Sequence, residues 1–419
     1  MKLKRWFVKR RPYNQQGAQP NHARTARDPS TPRDPASLVI GAIAAQVAGG
    51  LVTQMSPFTI AGLMDGLSLS ERDAGFVVSL ELLILAVTAI AITPVLSRFS
   101  DRRVALLAVA LALSAQGASI FSASLPWLTL LRGLAGIGEG VLYAVSLTVV
   151  ASRANNPDKV YGYFQVAWAL GSVALFGIGG QLTAAFAQRG IFALMTGVTL
   201  ALAPLLLLIP DARAKGGKDV ATVAARISPA LGVMTLAATV LYLSVSSAIY
   251  AFSAPLGERA GLDTRAVSYA LTVATLVGLA GAGAATAINV RWGRMIPISG
   301  FFAGFALVVL VLCLSHNPSA FIIALVASVV IYYFSVPYLF GLAAALDHSG
   351  RWAAAAGSAY LLGFAAGPLL AGVVITGTGY AGLAVACVAI TAAAWGLTMV
   401  VSRRLGGTAR TALPAEPPA

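Results

Sequence analysis

Ionisable side chains are scarce in this 419-residue chain. Asp, Glu, Lys and Arg together make up 11% of it, and there are three His and two Cys. So few charges cannot cover the surface of an ordinary soluble domain. There is no HExxH and no CxxC, which excludes a zinc-protease helix and a thioredoxin-type redox pair. Cys313 and Cys387 both fall in apolar stretches and read as small packing residues, not as a disulfide or metal pair. No Gly-rich phosphate-binding loop precedes a Lys, so a nucleotide-hydrolysing P-loop is excluded. No catalytic cluster, metal site or cofactor is expected, and an enzyme is not the reading. No apolar core of signal-peptide type follows within the first 36 residues, so no cleaved signal peptide is expected.

What the chain has in abundance is apolar sequence. Hydrophobic residues make up 58% of it and mean hydropathy is +0.81. Apolar runs of membrane-spanning length recur along almost its whole length. We segment twelve helices, starting near residues 37, 74, 104, 127, 161, 190, 229, 266, 297, 318, 352 and 379. The net charge of +14 does not mark a nucleic-acid binder, because its placement follows the membrane. With the N-terminus inside, 24 of the 29 Lys and Arg residues fall on the cytoplasmic side. Four (Arg72, Arg189, Arg259, Arg265) fall on the other side, and Arg132 lies within a helix. This positive-inside bias places both termini in the cytoplasm. The Ala- and Gly-rich composition hints at a bacterial inner membrane.

The chain also repeats itself. A basic tail (1–36) precedes a six-helix half (37–210); a polar cytoplasmic linker (211–228) leads to a second half (229–403) and a short tail (404–419). Loop 2–3 reads Ser97-Arg98-Phe99-Ser100-Asp101-Arg102-Arg103, and loop 8–9 reads Val290-Arg291-Trp292-Gly293-Arg294. Arg98 and Arg291 stand 193 residues apart; Gly171 and Gly363, and Gly180 and Gly372, stand 192 apart. Matches at one offset indicate parallel internal repeats. The expected fold is therefore an all-α membrane protein, twelve transmembrane helices in two pseudo-symmetric six-helix bundles.

On these repeats, and on Arg132, Gly133, Gly136 and Gly138 of helix 4, the chain resembles the major facilitator superfamily over residues 37–403. Arg98 with Arg102-Arg103 matches the family's basic loop between helices 2 and 3. Ser97 stands in place of its acid and Ser100 in place of its glycine. In loop 8–9 Arg291, Gly293 and Arg294 fit, and Val290 replaces the acid. The Gly138-Glu139 core of helix 4 is similar to the Spinster-like branch, although that branch's helix 1 acid is missing. The Gly-Pro pair typical of antiporter helix 5 is absent, while Gly367-Pro368 lies in helix 11. The resemblance implies that the two bundles rock about a central site, with helix 4 lining the cavity. Arg98, Arg102, Arg291 and Arg294 are then candidate gating residues that attract helix C-termini. Gly171, Gly180, Gly363 and Gly372 are candidates for close helix approach.

The apolar stretches hold just three charges: Glu81, Arg132 and Glu139. Charges within a membrane helix cost energy and mark function by default. On helix 4, Arg132, Gly136, Glu139, Tyr143 and Ser146 fall on one stripe. Arg132 and Glu139 are seven residues apart, roughly 10 Å along the axis, so Glu81 is the expected partner of Arg132. Glu139, left without a cation, is the expected proton site, with Arg132 and Glu81 as its coupling partners. Candidate cavity residues are Gln46 and Gln54 on helix 1, Tyr143 on helix 4, Tyr242, Ser246 and Tyr250 on helix 7, and Tyr332 on helix 10. The reading is a secondary transporter of a small amphipathic organic solute, proton-coupled, with export favoured. Its partners are the solute, protons and the lipid bilayer, and a monomer is expected. One alternative is an uptake symporter or facilitator for an organic acid gripped by Arg132. Another is a membrane sensor that keeps the fold without transporting.

Overall fold

The computed structural model describes residues 34–96, 98–211, 229–288, 293–346 and 351–411. Almost all of them are helical. The first four helices are α1 (Ala36–Leu67), α2 (Glu71–Leu96), α3 (Asp101–Ile120) and α4 (Leu125–Arg153). The long element Pro157–Leu202 is broken at Ala187, where the backbone turns to φ 48°. It thus provides two spans, α5 (157–186) and α6 (188–202), and α6 runs on into a short 3-10 turn, Ala203–Leu208. The second half has α7 (Pro229–Ala251, extended by the short helix Ser253–Arg259), α8 (Thr264–Ile288), α9 (Met295–Leu314) and α10 (Pro318–Ala344). Arg351–Thr411 is broken at Gly379, φ 71°, giving α11 (351–378) and α12 (380–411).

Among the described residues, ten helical stretches are apolar and long enough to cross a membrane. Two of them, of 50 and 51 residues, are each twice the length a bilayer needs. Divided at their breaks, they bring the spans to twelve. Local signals set several helix starts. Asn156 accepts a hydrogen bond from the Lys159 backbone N–H (3.1 Å), ahead of Pro157 at the start of α5. Asn317 caps α10 through the N–H groups of Ser319 and Ala320. In both cases an N-terminal Pro supplies the helical φ where no N–H bond is needed.

The halves meet chiefly through α2 against α11 and α5 against α8, with a smaller contact of α1 against α7. Glycine explains the closeness. A Cβ on Gly75 would run into the backbone carbonyl of Pro368, one on Gly372 into that of Glu71, and one on Gly180 into the Ser268 side chain. Three hydrogen bonds cross between the halves among the described residues. Ser79 Oγ accepts from the Leu369 backbone N–H (2.7 Å), Tyr250 donates to the Gln54 carbonyl (2.8 Å), and Gln181 donates to the Tyr269 hydroxyl (3.0 Å). The glycine contacts lie toward the end of the molecule that carries the α1–α2 and α7–α8 turns. That end is closed.

The glycines separate into kinds. Gly180 and Gly372, 192 residues apart, make corresponding contacts across the halves. Gly363 instead packs on Val240 and Leu243 of its own half, and nothing lies within 4 Å of where a Gly171 Cβ would be. Of the four, only Gly180 and Gly372 are contact glycines between halves. Among the described residues, Arg98 and Arg102 do not grip the opposite half in this state. Arg98 is exposed, and Arg102 donates through Nε to the Ile209 carbonyl of its own half (2.7 Å). Arg294 precedes α9 without making a side-chain cap. Arg291 lies outside the described residues, as do Ser97, Val290 and all of the linker beyond Asp211.

At the end opposite the closure, α3 is tied to its neighbours. Ser100 bonds to the Asp211 carboxylate, and Arg103 Nε lies 3.9 Å from it. The Ser100 hydrogen bond, helped by the Arg103 and Arg102 charges, holds the Asp211 carboxyl below its ordinary pKa. Asp101, fully buried, pairs with Arg153 at the end of α4 (2.6 Å).

Candidate functional site: a neutral cavity beside a buried charge cluster

A cavity of about 500 Å³ lies between the halves. From the first half it is lined by Gln46, Thr53 and Gln54 of α1, Tyr143 of α4, and Gln165, Trp168 and Ser172 of α5. From the second half come Ser246 and Tyr250 of α7, Phe305 of α9, Tyr332 and Tyr333 of α10, and Tyr360 and Phe364 of α11. Six of the seven expected cavity residues therefore line it. Tyr242 is the exception and corrects the expectation. It is fully buried, its ring packs on Phe301, Phe302 and Phe305 at 5.1–5.6 Å, and its hydroxyl is satisfied by Ser335 (2.7 Å). The spacing Tyr242, Ser246, Tyr250 marks one face of α7, but that face runs from the α9 interface into the cavity.

The polar groups are partly committed. Gln54 Nε2 donates to Ser172 Oγ (2.7 Å), and Gln54 Oε1 has no hydrogen-bond partner among the described residues. Ser146 donates to Gln46 Oε1, and the hydroxyls of Tyr332 and Tyr360 bond to each other. Sequence reasoning missed Gln165 and Trp168, although with Ser172 they recur at i, i+3 and i+7 along α5. Tyr360 and Tyr333 carry no comparable spacing signal.

The three membrane charges lie elsewhere. Arg132, Glu81 and Glu139 are wholly buried and line no part of the cavity. Arg132 donates to Glu81 Oε1 (3.0 Å) and to Ser119 Oγ of α3 (2.9 Å), and its guanidinium lies over the Phe192 ring of α6, 4.6 Å from the centroid. Glu139 Oε1 accepts from Gln116 of α3 (2.8 Å). The Glu81 and Glu139 carboxyls neighbour each other, and Oε2 of each has no hydrogen-bond partner among the described residues. Gln116 and Ser119 were not singled out from the sequence. An amide or hydroxyl inside an apolar run gives little signal.

The glycines of α4 build this cluster. A Cβ on Gly136 would lie 2.6 Å from the Glu81 carbonyl, and one on Gly140 2.5 Å from the Leu85 carbonyl. These two bring α2 onto α4. Gly138 does the same for α3, where an added Cβ would lie 2.6 Å from the Ala108 carbonyl, and a Cβ on Gly49 of α1 would lie 2.7 Å from the carbonyl of Glu139 itself. The cluster sits one layer behind the cavity, because Leu82 and Leu85, beside and one turn beyond Glu81, line it. The carboxylate grip by Arg132 expected for an organic acid has no counterpart here. Its guanidinium is engaged on α2, α3 and α6 and does not reach the cavity.

A sequence-family model described as Major Facilitator Superfamily matches residues 42–346. A search among curated proteins finds no match. Among solved structures, a bacterial homologue of the human lysosomal transporter Spinster, inward-facing and unoccupied, aligns with a TM-score of 0.69 at 15% identity, over 88% of this chain and 98% of that one. A D-xylose–proton symporter aligns at 0.68 and 16% identity, covering 86% and 97%. A mutant nucleoside transporter aligns at 0.64 and 11% identity, covering 88% and 98%. At these identities the likeness is one of fold.

Proposed function

The chain belongs to the major facilitator superfamily, and we propose that it is a proton-coupled secondary transporter of a small amphipathic organic solute. The observation that carries this reading is the juxtaposition of a solute-sized cavity with a sealed cluster of two carboxyls and one guanidinium. Fully ionised, that cluster would hold a surplus negative charge in a membrane interior, which is costly. One proton, bound between Glu81 and Glu139, cancels it. The two orphan Oε2 atoms are the acceptors available for it.

Helix α2 supplies the coupling. At its start Gly75 and Ser79 close on α11, at its middle Glu81 joins the cluster, and Leu82 and Leu85 form cavity wall. Opening the closed end moves α2 against α11. That motion changes how tightly Glu81 is held against Arg132 and Glu139, and with it the hold on the proton. With the N-terminus in the cytoplasm, as the distribution of basic residues supports, the closed end faces outward and the state is inward-facing. The halves 37–210 and 229–403 then act as the two rocking bodies, in a bacterial inner membrane, as a monomer, with export the favoured direction. Proton flux in proteoliposomes under an imposed pH gradient, screened against a library of neutral and charged solutes, tests the proposal. Solute-dependent proton movement supports it. Solute movement that ignores the proton gradient removes the coupling and leaves a facilitator.

A further inference from the structure

The walls of the cavity differ from the rest of the molecule in one respect that bears on its cargo. No Asp, Glu, Lys, Arg or His is among the described residues that line it. The membrane charges Glu81, Arg132 and Glu139 are sealed in the α2–α3–α4 cluster and do not line the cavity. A charged solute leaving water for this space would meet no opposite charge, and burying an uncompensated ion costs several kcal/mol or more.

The two walls also differ from each other. The first half offers side-chain amides. Gln165 is exposed and lines the cavity, with no hydrogen-bond partner among the described residues, and Gln54 keeps a free acceptor oxygen. An amide presents both a donor and an acceptor, which suits hydroxyl groups that can serve as either. The second half offers most of the flat rings, with Tyr143 and Trp168 on the first. Tyr360 and Phe364 stack with centroids 5.3 Å apart and planes 24° from parallel, and Tyr332 meets Phe364 edge-on at 6.2 Å. Together they form a platform for a ring face. A volume of about 500 Å³ is in the range of small-molecule sites.

We infer that the cargo is an uncharged molecule built from a flat ring and hydroxyl groups, of glycoside or nucleoside type, with its ring on the Tyr360–Phe364 face and its hydroxyls toward Gln165 and Gln54. This inference rests on the reading of the cavity as the transport site. An organic cation is the serious rival, since aromatic faces attract cations without needing an acid.

The test uses the purified full chain and matched probes: phenyl β-D-glucoside and uridine as neutral members, phenyl β-D-glucuronide as the anion and phenyltrimethylammonium as the cation. Binding is read as a concentration-dependent rise in Tm. The neutral probes should bind and both charged ones should fail. Gln165→Ala should weaken the neutral probe by about 2- to 10-fold, the worth of one net hydrogen bond. Its Tm without ligand should not move, because Gln165 holds nothing in place. Stronger binding of the glucuronide or the ammonium probe overturns the inference, as does failure of both neutral probes. Counterflow of labelled glucoside separates this from the transport proposal. Binding without counterflow keeps the cargo class and removes transport, whereas counterflow of a charged probe alone keeps transport and removes the class.

Discussion

Arg132 donates to Glu81 at 3.0 Å with neither side chain exposed to any degree. The guanidinium also serves Ser119 and lies on the Phe192 ring, so one side chain joins four helices. Arg132→Met would leave a carboxylate unpaired in the interior, and roughly 3–5 kcal/mol of stability should be lost. Arg132→Lys keeps the charge but loses the planar fork that holds two partners at once. It should be destabilised by less than Arg132→Met, yet clearly below wild type. Thermal unfolding of the three proteins in one detergent checks the order. Equal Tm values for Arg132→Lys and wild type would contradict the fork.

The contact between α2 and α11 makes a separate prediction. Gly372 meets the Glu71 backbone with no room for a Cβ, so Gly372→Val should wedge α11 from α2. The population should move toward the state open at that end. With Thr53→Cys as a reporter in the cavity, labelling by a membrane-impermeant thiol reagent from outside should rise roughly tenfold, equivalent to about 1.4 kcal/mol between the two states. Gly171→Val, where nothing lies within 4 Å, should leave labelling unchanged.

At the opposite end, the link between Ser100, Arg103 and Asp211 should respond to acid. The folded-state pKa of Asp211 lies below its ordinary value of 3.8. Its contribution is therefore present above that value and is lost as pH falls through the lower, folded-state pKa. Backbone hydrogen exchange over 100–104, corrected for intrinsic rate, should be flat from pH 7 to pH 5 and rise below about 4. In Asp211→Asn that rise should disappear.

Most of the architecture was legible because it follows from the solvent. A bilayer demands runs of about 20 apolar residues, and the twelve expected helix starts fall within a few residues of the observed ones. The pairing of Glu81 with Arg132 was legible because Arg132 is the one cation in those runs. The site was harder. Periodicity identifies a face of a helix but not what that face meets at each depth, and so Tyr242 was grouped with Ser246 and Tyr250 though it packs on Phe301, Phe302 and Phe305. The stripe on α4 was correctly traced, yet its Arg132 and Glu139 turn toward α2 and α3, while Tyr143, one turn beyond Glu139, reaches the cavity. Helix direction relative to its neighbours decides that, and it is set by Gly49, Gly136, Gly138 and Gly140 acting together. Gln116 and Gln165 stayed hidden for the reason given for Ser119: neutral polar residues do not stand out from an apolar run until a partner is known.

If one proton on the Glu81–Glu139 pair drives solute movement, Glu139→Gln in proteoliposomes should uncouple the two. The substitution keeps the shape and can still bond to Gln116, but it removes one of the two groups that share the proton. With a solute identified by the flux screen, uphill accumulation under a pH gradient should fall to background while solute counterflow without a gradient persists at near wild-type rate. Accumulation that survives Glu139→Gln at wild-type level, in protein of unchanged Tm, would contradict the account.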